Sequence, residues 1–316
     1  KLESYWLSLR LVAMDIPAAH LLVSNTENDT KILTLSQAKT EYIKLKGDGR
    51  SKTFFTSAER NTNYAISCLG DRPLDGYSTT DGGKFRDWLK GKSLSNSSIR
   101  RILTTVKSIV ALAISEHGLG ITNGFSGLYI NDENERVAKR LPFSLSEVKS
   151  IQSKCCSYND ELRWLIALIS DTGMRLSEAV GLHLTDLHIE ESVPYVSIKP
   201  HDWRSLKTSS SNRMLPLVGA SLWAAKQIMA NADSEFCFSR YCNRGGCNSN
   251  SASAALNKWL KKLAGKEATV HGFRHSMRDR LRAIQCPTEI IDACGGWASG
   301  NVGSQYGTGY PLSILQ

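Results

Sequence analysis

The stretch HGFRHSMRDRLR, residues 271–282, places four arginines on one predicted helix, 272–285, with His271 directly before that helix. His271 precedes Arg274 by three residues, so the two side chains share a helix face or its entry. A guanidinium can clamp a phosphate through two hydrogen bonds, and an imidazole exchanges a proton near neutral pH. The pair therefore predicts an anion site with proton transfer, although an isolated H-x-x-R is more often a packed or surface pair.

The remaining arginines of this stretch crowd like charges onto the same helix, which is unfavourable without a counter-charge. They are Arg278, Arg280 and Arg282. Two interpretations remain open. The three side chains reach the backbone phosphates of a bound polyanion, or they pair with carboxylates such as Asp279 as ordinary surface charges.

A second stretch, DTGMRLSEAVGL, spans residues 171–182. Thr172 is predicted as a helix N-cap, Gly173 frees the turn before the helix, and Arg175 then falls in the first helical turn. An arginine at that end would add a guanidinium fork to free backbone N–H groups, which predicts a strong anion site. The alternative is a surface arginine paired with Glu178 one turn on.

A third stretch, GGWASGNVGSQYGTGY, spans residues 295–310. Two glycines precede Trp297, and Tyr306 follows nine residues later in a glycine-rich segment near the chain end. Tyr310 lies four residues beyond it in a second Gly-Tyr pair. The alternative for either tyrosine is a half-buried packing residue with a hydrated hydroxyl.

In this order and spacing, the three stretches resemble the tyrosine recombinases, also called the phage integrase family, over about 140–310. TGMRLSE resembles the first-arginine box, HGFRH the His-x-x-Arg box, and GGWAS through the tyrosine the segment that ends in the nucleophile. The order and spacing together are far more specific than any single motif. Residues 34–130 are similar only in kind to the helical core-binding domain of these enzymes.

The resemblance implies a catalytic role for each matched residue. Arg175 and Arg274 would clamp the scissile phosphate, His271 would contact it and transfer a proton, and Tyr306 would be the nucleophile. Trp297 stands where many members have histidine. Because an indole is only a hydrogen-bond donor, Trp297 could bond a phosphate oxygen or brace the tyrosine but could not act as a base.

The family's lysine lies in a β-hairpin between the first arginine and the histidine. RSLKTSSSNRMLPL, residues 204–217, fits this position with Lys207. Lys199 and Lys266 are competing choices. Glu178 is expected to orient a neighbouring side chain rather than to react.

The chemistry independently supports these roles. Attack on a phosphodiester adds negative charge, which two arginines and a histidine stabilise more than they stabilise the ground state. A phenol needs that field or a base to become a nucleophile, and a lysine can protonate the leaving 5′ oxygen. The sequence contains neither an Asp/Glu cluster of the two-metal type nor a G-x4-GK[ST] loop. We therefore expect no cofactor.

Hydrophobic periodicity predicts a mainly α protein with a small β-sheet or hairpin. We expect an N-terminal segment of uncertain form at 1–32, a helical core-type DNA-binding domain at 33–130, a linker at 131–142 and an α+β catalytic domain at 143–316. The clearest helix begins at SNSSIRRIL, with apolar side chains at three- and four-residue steps. Two strand-like runs, PYVSIKP and RMLPLVG, belong to the catalytic domain.

The chain carries 39 Lys and Arg against 30 Asp and Glu, a formal charge of +9, which favours a polyanionic partner. We expect double-stranded DNA attachment sites as that partner. The candidate contacts to DNA are Arg100, Arg101, Lys107, Arg278 and Arg282. The resemblance further implies a homotetramer on two DNA sites, possible accessory directionality or DNA-bending proteins, and exchange of a C-terminal segment between neighbours. YPLSILQ is apolar enough to dock on a neighbour or on its own domain.

No apolar run approaches the roughly 18 to 20 residues of a membrane helix, and the N-terminus lacks signal-peptide features. The chain begins with Lys, so we expect further sequence before it. Cys237, Cys242 and Cys247 are spaced poorly for zinc, and we expect reduced, unligated thiols in a cytoplasmic, bacterial or phage-encoded protein.

The resemblance implies a site-specific DNA recombinase, most like the integrases of prophages or genomic islands, that cleaves and rejoins strands through a 3′-phosphotyrosyl intermediate to integrate or excise a mobile element. Three alternatives to this function remain. A topoisomerase would use the same chemistry to relax supercoils as a monomer. A DNA-binding protein with an inactive site would account for the tryptophan in place of histidine. A lipid- or RNA-binding basic module would leave the ordered motifs unexplained.

Overall fold

The computed structural model describes residues 32–130, 141–297 and 309–316. These residues form two compact units, one containing 32–130 and the other containing the remainder. Nearly all of the predicted N-terminal segment, most of the predicted linker and the predicted nucleophile Tyr306 lie outside the described residues.

The described part of the first unit is all-helical, as its sequence periodicity predicts. Its α-helices are α1 Leu35–Lys46, α2 Lys52–Leu69, α3 Thr79–Gly91 and α4 Asn96–Glu116. Gly47 follows α1 and Gly70 follows α2, the latter with a φ of 82° that favours glycine.

Helix α4 forms the centre of this bundle. It packs against α1, α2 and α3. Its buried face consists of side chains at three- and four-residue steps, as predicted: Ile99, Ile102, Leu103, Val106, Ile109, Val110 and Ala113. Burial of this apolar stripe provides most of the driving force for the bundle.

The second unit packs helices around a small sheet. Its helices are α5 Leu145–Tyr158, α6 Glu161–Thr172, α7 Leu176–Val180, α8 Gly219–Ala230, α9 Ser249–Ala264, α10 Val270–Ala283, α11 Thr288–Gly295 and α12 Leu312–Leu315. Most residues of helix α6 are buried, and it packs against α5, α8 and α10. No helix in the described ranges is long and apolar enough to cross a membrane.

The sheet consists of three antiparallel strands in the order β1-β2-β3. They are β1 Leu187–His188, β2 Tyr195–Ile198 and β3 Arg213–Pro216. Ile198 pairs with Arg213, so β2 and β3 form a hairpin whose connection is residues 199–212. We call this connection, which carries Lys207, the lysine loop. The two predicted strand-like runs are thus confirmed, and the mainly α class with a small sheet is correct.

The prediction of reduced thiols is wrong for one pair of cysteines. Cys242 and Cys247 form a disulfide. The short strands β4 Cys242–Asn243 and β5 Gly246–Cys247 are antiparallel, and their register places these two cysteines opposite each other. Cys237 is a free, buried thiol whose pKa is raised by burial.

The short C-terminal helix α12 docks on its own unit. It contacts β3, and Leu315 packs against the core of this unit. Of the two docking modes left open for the C-terminal segment, this is the one within a single chain.

Candidate active site

Three sequence segments meet in the second unit around the side chain of Arg274. This residue lies in the second turn of α10, and its side chain is buried. Its Nη1 donates to the carbonyl of Gly173, 3.0 Å away, and its Nη2 donates to the carbonyl of Gly295. One guanidinium therefore joins the end of α6 to the end of α11.

Arg274 is a buried cation with other cations close to it. Burial, together with the neighbouring charges of Arg175 and Arg213, lowers the pKa of its guanidinium to about 10. The group still carries its charge at neutral pH, and an anion would relieve the repulsion. Two of its five N–H donors are used by the two carbonyls, which leaves others for a ligand.

Arg175 lies in the sequence between α6 and α7. Its side chain contacts the lysine loop and the residue that follows α11. Its Nη1 donates to Glu178 at 2.5 Å and to the hydroxyl of Ser211 at 2.8 Å, and its Nη2 lies 3.4 Å from the carbonyl of Gly296. Its side chain is 21% exposed. The predicted arginines thus contact the adjacent carbonyls of Gly295 and Gly296, although they are 99 residues apart (274 − 175) in the sequence.

The local prediction for the Arg175 box needs one correction. Thr172 is the last residue of α6, and its hydroxyl donates to the carbonyl of Leu168 rather than capping a new helix. Gly173, at a φ of 60°, ends α6, and Arg175 itself is the N-cap of the five-residue helix α7. Arg175 is therefore held by side-chain partners, not by a place in a first helical turn.

Glu178 is the carboxylate that balances these cations. It is 3% exposed, and it accepts from Arg175 and, at 3.0 Å, from Nη2 of Arg213. Its backbone partner is the N–H of Arg175, 2.9 Å away. Burial raises the pKa of Glu178, but Arg213 and Arg175 outweigh burial and hold the pKa below its ordinary value. The expectation that Glu178 orients a neighbour fits this geometry.

Trp297 follows α11, and its ring system contacts two guanidinium groups. The carbons at the centre of the Arg274 and Arg278 guanidiniums lie 4.2 and 4.6 Å from the centroid of its ring system. Each contact is a cation–π interaction. Gly295 lies directly beneath the indole, where a Cβ would overlap the ring. Trp297 therefore braces Arg274 in this structure.

His271 is exposed in the first turn of α10, one turn before Arg274. Its ring meets that of His275 edge-on, with centroids 5.0 Å apart. The predicted shared face of His271 and Arg274 is consistent with their positions on this helix.

The lysine loop presents Lys207 as an exposed side chain. The competing Lys199 is engaged elsewhere, because its Nζ lies 3.3 Å from the buried carboxylate of Asp186. Lys266 is exposed in the turn after α9. Lys199 and Lys207 both lie between β2 and β3, but only Lys207 is adjacent to Thr208, whose hydroxyl bonds that of Ser211.

Sequence analysis missed two residues of this site, Ser211 and Arg213. Ser211 is fully buried, and the side chain of Arg213 is 7% exposed. A signal for Arg213 was present, since it alternates with the buried Leu215 and Leu217 and so shares the inward face of its strand. Ser211 carried no such signal, because Arg175, its partner in the site, is distant in sequence.

The crowded arginines of α10 have carboxylate partners within the protein. Arg278 lies 3.3 Å from Asp292, Arg280 lies 3.0 Å from Asp171, and Arg282 lies 3.8 Å from Asp279. The last pair is exposed and contributes little to the stability of the fold. Contacts from Arg278 and Arg282 to DNA stay predictions.

The candidate DNA-contacting residues of the first unit lie on α4, off its buried face. Arg101 and Lys107 are exposed, and Nη2 of Arg100 donates to the carbonyl of Ile130 at 3.1 Å. Arg100, Thr104 and Lys107 line one side of a cavity of about 250 Å³. Their role toward DNA also stays a prediction.

Tyr310, the competing nucleophile, has its hydroxyl bonded to a carboxylate. Its Oη donates to Glu289 at 2.7 Å. This hydrogen bond raises the pKa of Tyr310, which opposes formation of a phenolate. The geometry therefore disfavours Tyr310 as the nucleophile.

Among the described residues, no group of three or more His, Cys, Asp or Glu side chains is arranged to hold a metal ion. What the described site does offer is a set of buried and half-buried guanidiniums with one balancing carboxylate. Such a set can bind a phosphate and stabilise charge that develops on it.

Comparison with known proteins agrees with this chemistry. The model of the phage integrase family matches residues 143–309, more than half of the chain. The tyrosine recombinase XerA of Pyrococcus furiosus is 25% identical over 271 residues, which cover 82% of this chain and 83% of that protein.

Solved structures with similar folds include two integrases. The Tn1549 transposon integrase in complex with transposon right end DNA has a TM-score of 0.67 at 20% identity, covering 86% of this chain and 97% of that one. A lambda integrase dimer bound to a COC′ core site has a TM-score of 0.67 at 18% identity, covering 96% of this chain and 85% of that one. At these identities the likeness establishes the fold. By its family match and the order of its motifs, the chain belongs to the phage integrase family, the tyrosine recombinases, which cleave and rejoin DNA.

Proposed function

We propose that this protein is an integrase that recombines specific DNA sites of a mobile element through a 3′-phosphotyrosyl intermediate. The observation that carries the proposal is the pair of guanidiniums on the adjacent carbonyls of Gly295 and Gly296. These contacts bring Arg175 and Arg274, which are distant in sequence, close enough together to bind one small anion. A scissile phosphate is the anion that this family acts on.

The roles of the phosphate-binding residues follow from their surroundings. Arg274 and Arg175 would hold the two non-bridging oxygens and stabilise the charge added in the transition state. Glu178 would keep both guanidiniums placed, and Trp297 would brace Arg274. His271 would contact the phosphate and exchange a proton with it or with the nucleophile.

The covalent step would use Tyr306. Its phenol would give its proton to His271, its oxygen would bond to phosphorus, and the bond from phosphorus to the 5′ oxygen would break. Lys207 would supply the proton that the departing 5′ oxygen takes. Attack by a 5′ hydroxyl of a partner strand reverses each transfer, so the energy of the phosphodiester is conserved and no nucleotide cofactor is consumed.

Binding of duplex DNA would involve both parts of the chain. We assign residues 33–130 to a helical core-type domain and 143–316 to the catalytic domain, with 131–142 as the linker. Arg100, Arg101 and Lys107 would contact DNA from the first, and Arg278 and Arg282 from the second. By analogy with a lambda integrase tetramer bound to a Holliday junction, which has a TM-score of 0.65 at 17% identity and covers 87% of this chain and 78% of that one, we propose a homotetramer on two sites. The site of action would be cytoplasmic DNA.

This function predicts metal-free strand exchange that depends on two DNA sites. Because the attachment sequence is unknown, a pool of random duplexes is first incubated with the protein in EDTA, and covalently captured DNA is recovered and sequenced. Plasmids carrying two, one or no copies of the recovered site are then incubated with the protein, and their products are resolved by gel electrophoresis. We expect deletion or inversion only with two copies.

Three outcomes would contradict this prediction. Relaxation of all three plasmids without exchange would indicate a topoisomerase. Tight DNA binding with no covalently captured DNA from the pool would indicate an inactive DNA-binding protein. A strict requirement for a divalent metal would exclude the proposed chemistry.

A further inference from the structure

The position of Lys207 depends on its loop rather than on hydrogen bonds of the lysine side chain to the described residues. Lys207 is exposed, and its ammonium forms no hydrogen bond or ion pair with the residues that the structure describes. A general acid must nevertheless come within hydrogen-bond distance of the leaving oxygen. Its placement therefore depends on how the backbone of the loop is held.

The loop is held on the N-terminal side of Lys207 by Arg204. This side chain is 5% exposed, and its Nη1 and Nη2 donate to the carbonyls of Glu178 and Lys199. Trp203 adds a bond from its Nε1 to the carbonyl of Gly181, 3.1 Å away. The loop is thus bound to α7 three residues before Lys207.

On the C-terminal side, Ser211 links the loop to the phosphate-binding arginine. The turn Ser209–Ser211 begins right after Thr208. The Oγ of Ser211 accepts from Nη1 of Arg175 at 2.8 Å and lies 2.9 Å from the Oγ1 of Thr208. Hydrogen bonds therefore run from Arg175 through a buried serine to the residue next to Lys207.

Arg213 also holds this turn, through a hydrogen bond to its backbone. Its Nη1 donates to the carbonyl of Ser211 at 2.8 Å, its Nε to the carbonyl of Cys294 at 2.9 Å, and its Nη2 to Glu178 at 3.0 Å. The turn also packs on Gly296, where a Cβ would lie 2.8 Å from Nη1 of Arg213 and 3.0 Å from the carbonyl of Ser210. One buried side chain therefore joins the turn to both flanking segments of the site.

We propose that Ser211 and Arg213 are positioning residues that hold Lys207 at the leaving oxygen by anchoring its loop to Arg175 and Glu178. This inference rests on the proposed role of Lys207 as general acid. The binding of the phosphate by Arg175 and the protonation of the leaving group are coupled through Ser211. Loss of the serine hydroxyl frees the lysine while Arg175 keeps its bond to Glu178.

The test uses two leaving groups on the captured DNA site. One suicide duplex has the ordinary 5′ oxygen at the scissile position, and the other has sulfur there. A thiolate departs without a proton because thiols are far more acidic than alcohols. Single-turnover cleavage of both duplexes is measured for the full chain as wild type, Lys207→Ala, Ser211→Ala, Thr208→Val and Ser209→Ala.

We expect Lys207→Ala to cleave the oxygen duplex about 10²- to 10⁴-fold more slowly than wild type and the sulfur duplex at nearly the wild-type rate. Ser211→Ala and Thr208→Val should each slow cleavage of the oxygen duplex by about tenfold or more and leave cleavage of the sulfur duplex unchanged. The loss should be smaller than that of Lys207→Ala, because the lysine is still present. Ser209→Ala, an exposed serine of the same turn, should match wild type on both. Thr208→Val is isosteric and exposed, so it tests the loop even if Ser211→Ala unfolds.

The outcomes distinguish the role of Lys207 as general acid from the anchoring of its loop by Ser211 and Arg213. If Lys207→Ala is slowed equally on both duplexes, the proposed role of the lysine fails. If Lys207→Ala behaves as expected but Thr208→Val and a folded Ser211→Ala match wild type, or slow both duplexes equally, the anchoring proposal is overturned. Thermal melting of each variant establishes that it is folded.

Discussion

Arg274→Lys is expected to slow DNA cleavage by about 10²- to 10³-fold, the cost of removing one preorganised donor from a charged transition state. The guanidinium of Arg274 donates to the carbonyls of Gly173 and Gly295 and stacks on Trp297. An ammonium is a point charge with no planar fork, so it cannot span both carbonyls and also face a phosphate. Keeping the charge should therefore not preserve the activity.

The measurement is single-turnover cleavage of the captured site at saturating protein, with DNA affinity measured separately. Arg280→Lys is the matched control, because Arg280 lies on the same helix, is 38% exposed and pairs with Asp171 through one nitrogen. We expect this control to cleave at nearly the wild-type rate. An Arg274→Lys variant as active as Arg280→Lys would show that the bridging geometry is unimportant.

Glu178→Gln is expected to lower the free energy of unfolding by about 3 to 5 kcal/mol at neutral pH, because it leaves buried charges without their partner. The side chain of Arg213 is 7% exposed, and its counter-charge in the structure is Glu178. Glutamine keeps the shape of the side chain but cannot balance the charges of Arg213 and Arg175. Cleavage should fall as well, since Arg175 loses the group that orients it.

The same variant predicts a particular dependence on pH. The pKa of Glu178 in the folded protein lies below its ordinary value, so its stabilisation is complete above the unfolded pKa of about 4.3 and is lost as pH falls through the folded pKa. The difference in unfolding free energy between wild type and Glu178→Gln should be constant near neutral pH and shrink in acid. Urea unfolding at several pH values measures it.

Glu147→Gln provides the control for this series. Glu147 is an exposed carboxylate in the capping box of α5, where glutamine can replace it. We expect a loss below about 1 kcal/mol for this exposed site. A Glu178→Gln variant no less stable than Glu147→Gln, or a difference that widens in acid, would contradict the buried-pair account.

The sequence order of the motifs was sufficient to predict which segments meet, but not how they are held. Gly173 predicted a break in the chain correctly, yet the helix after it begins only at Leu176, which makes Arg175 an N-cap. Local pattern cannot locate such a boundary when two helices abut. The buried face of α4 followed from its periodicity because apolar burial repeats with the helix.

Long-range polar contacts were the part that sequence analysis could not supply. Ser211 looks like one polar residue among several in TSSSN, and only the fold brings its hydroxyl to Arg175. Arg213 opens the predicted strand of RMLPLVG. Its alternation with the buried Leu215 indicates that its side chain lies on the inward face of that strand. The spacing of Cys242 and Cys247 alone does not indicate a disulfide, because only the register of β4 and β5 places the two cysteines opposite each other.

In the proposed function, Tyr306 attacks a phosphate held by Arg175 and Arg274. The most direct test is to trap the covalent complex on the captured DNA site in EDTA, digest the protein, and identify the DNA-linked peptide by mass. Wild type is compared with Tyr306→Phe and with Tyr310→Phe, whose hydroxyl bonds Glu289. We predict a link at Tyr306 that disappears only in Tyr306→Phe. A link at Tyr310, or at any other residue, would contradict the proposed nucleophile.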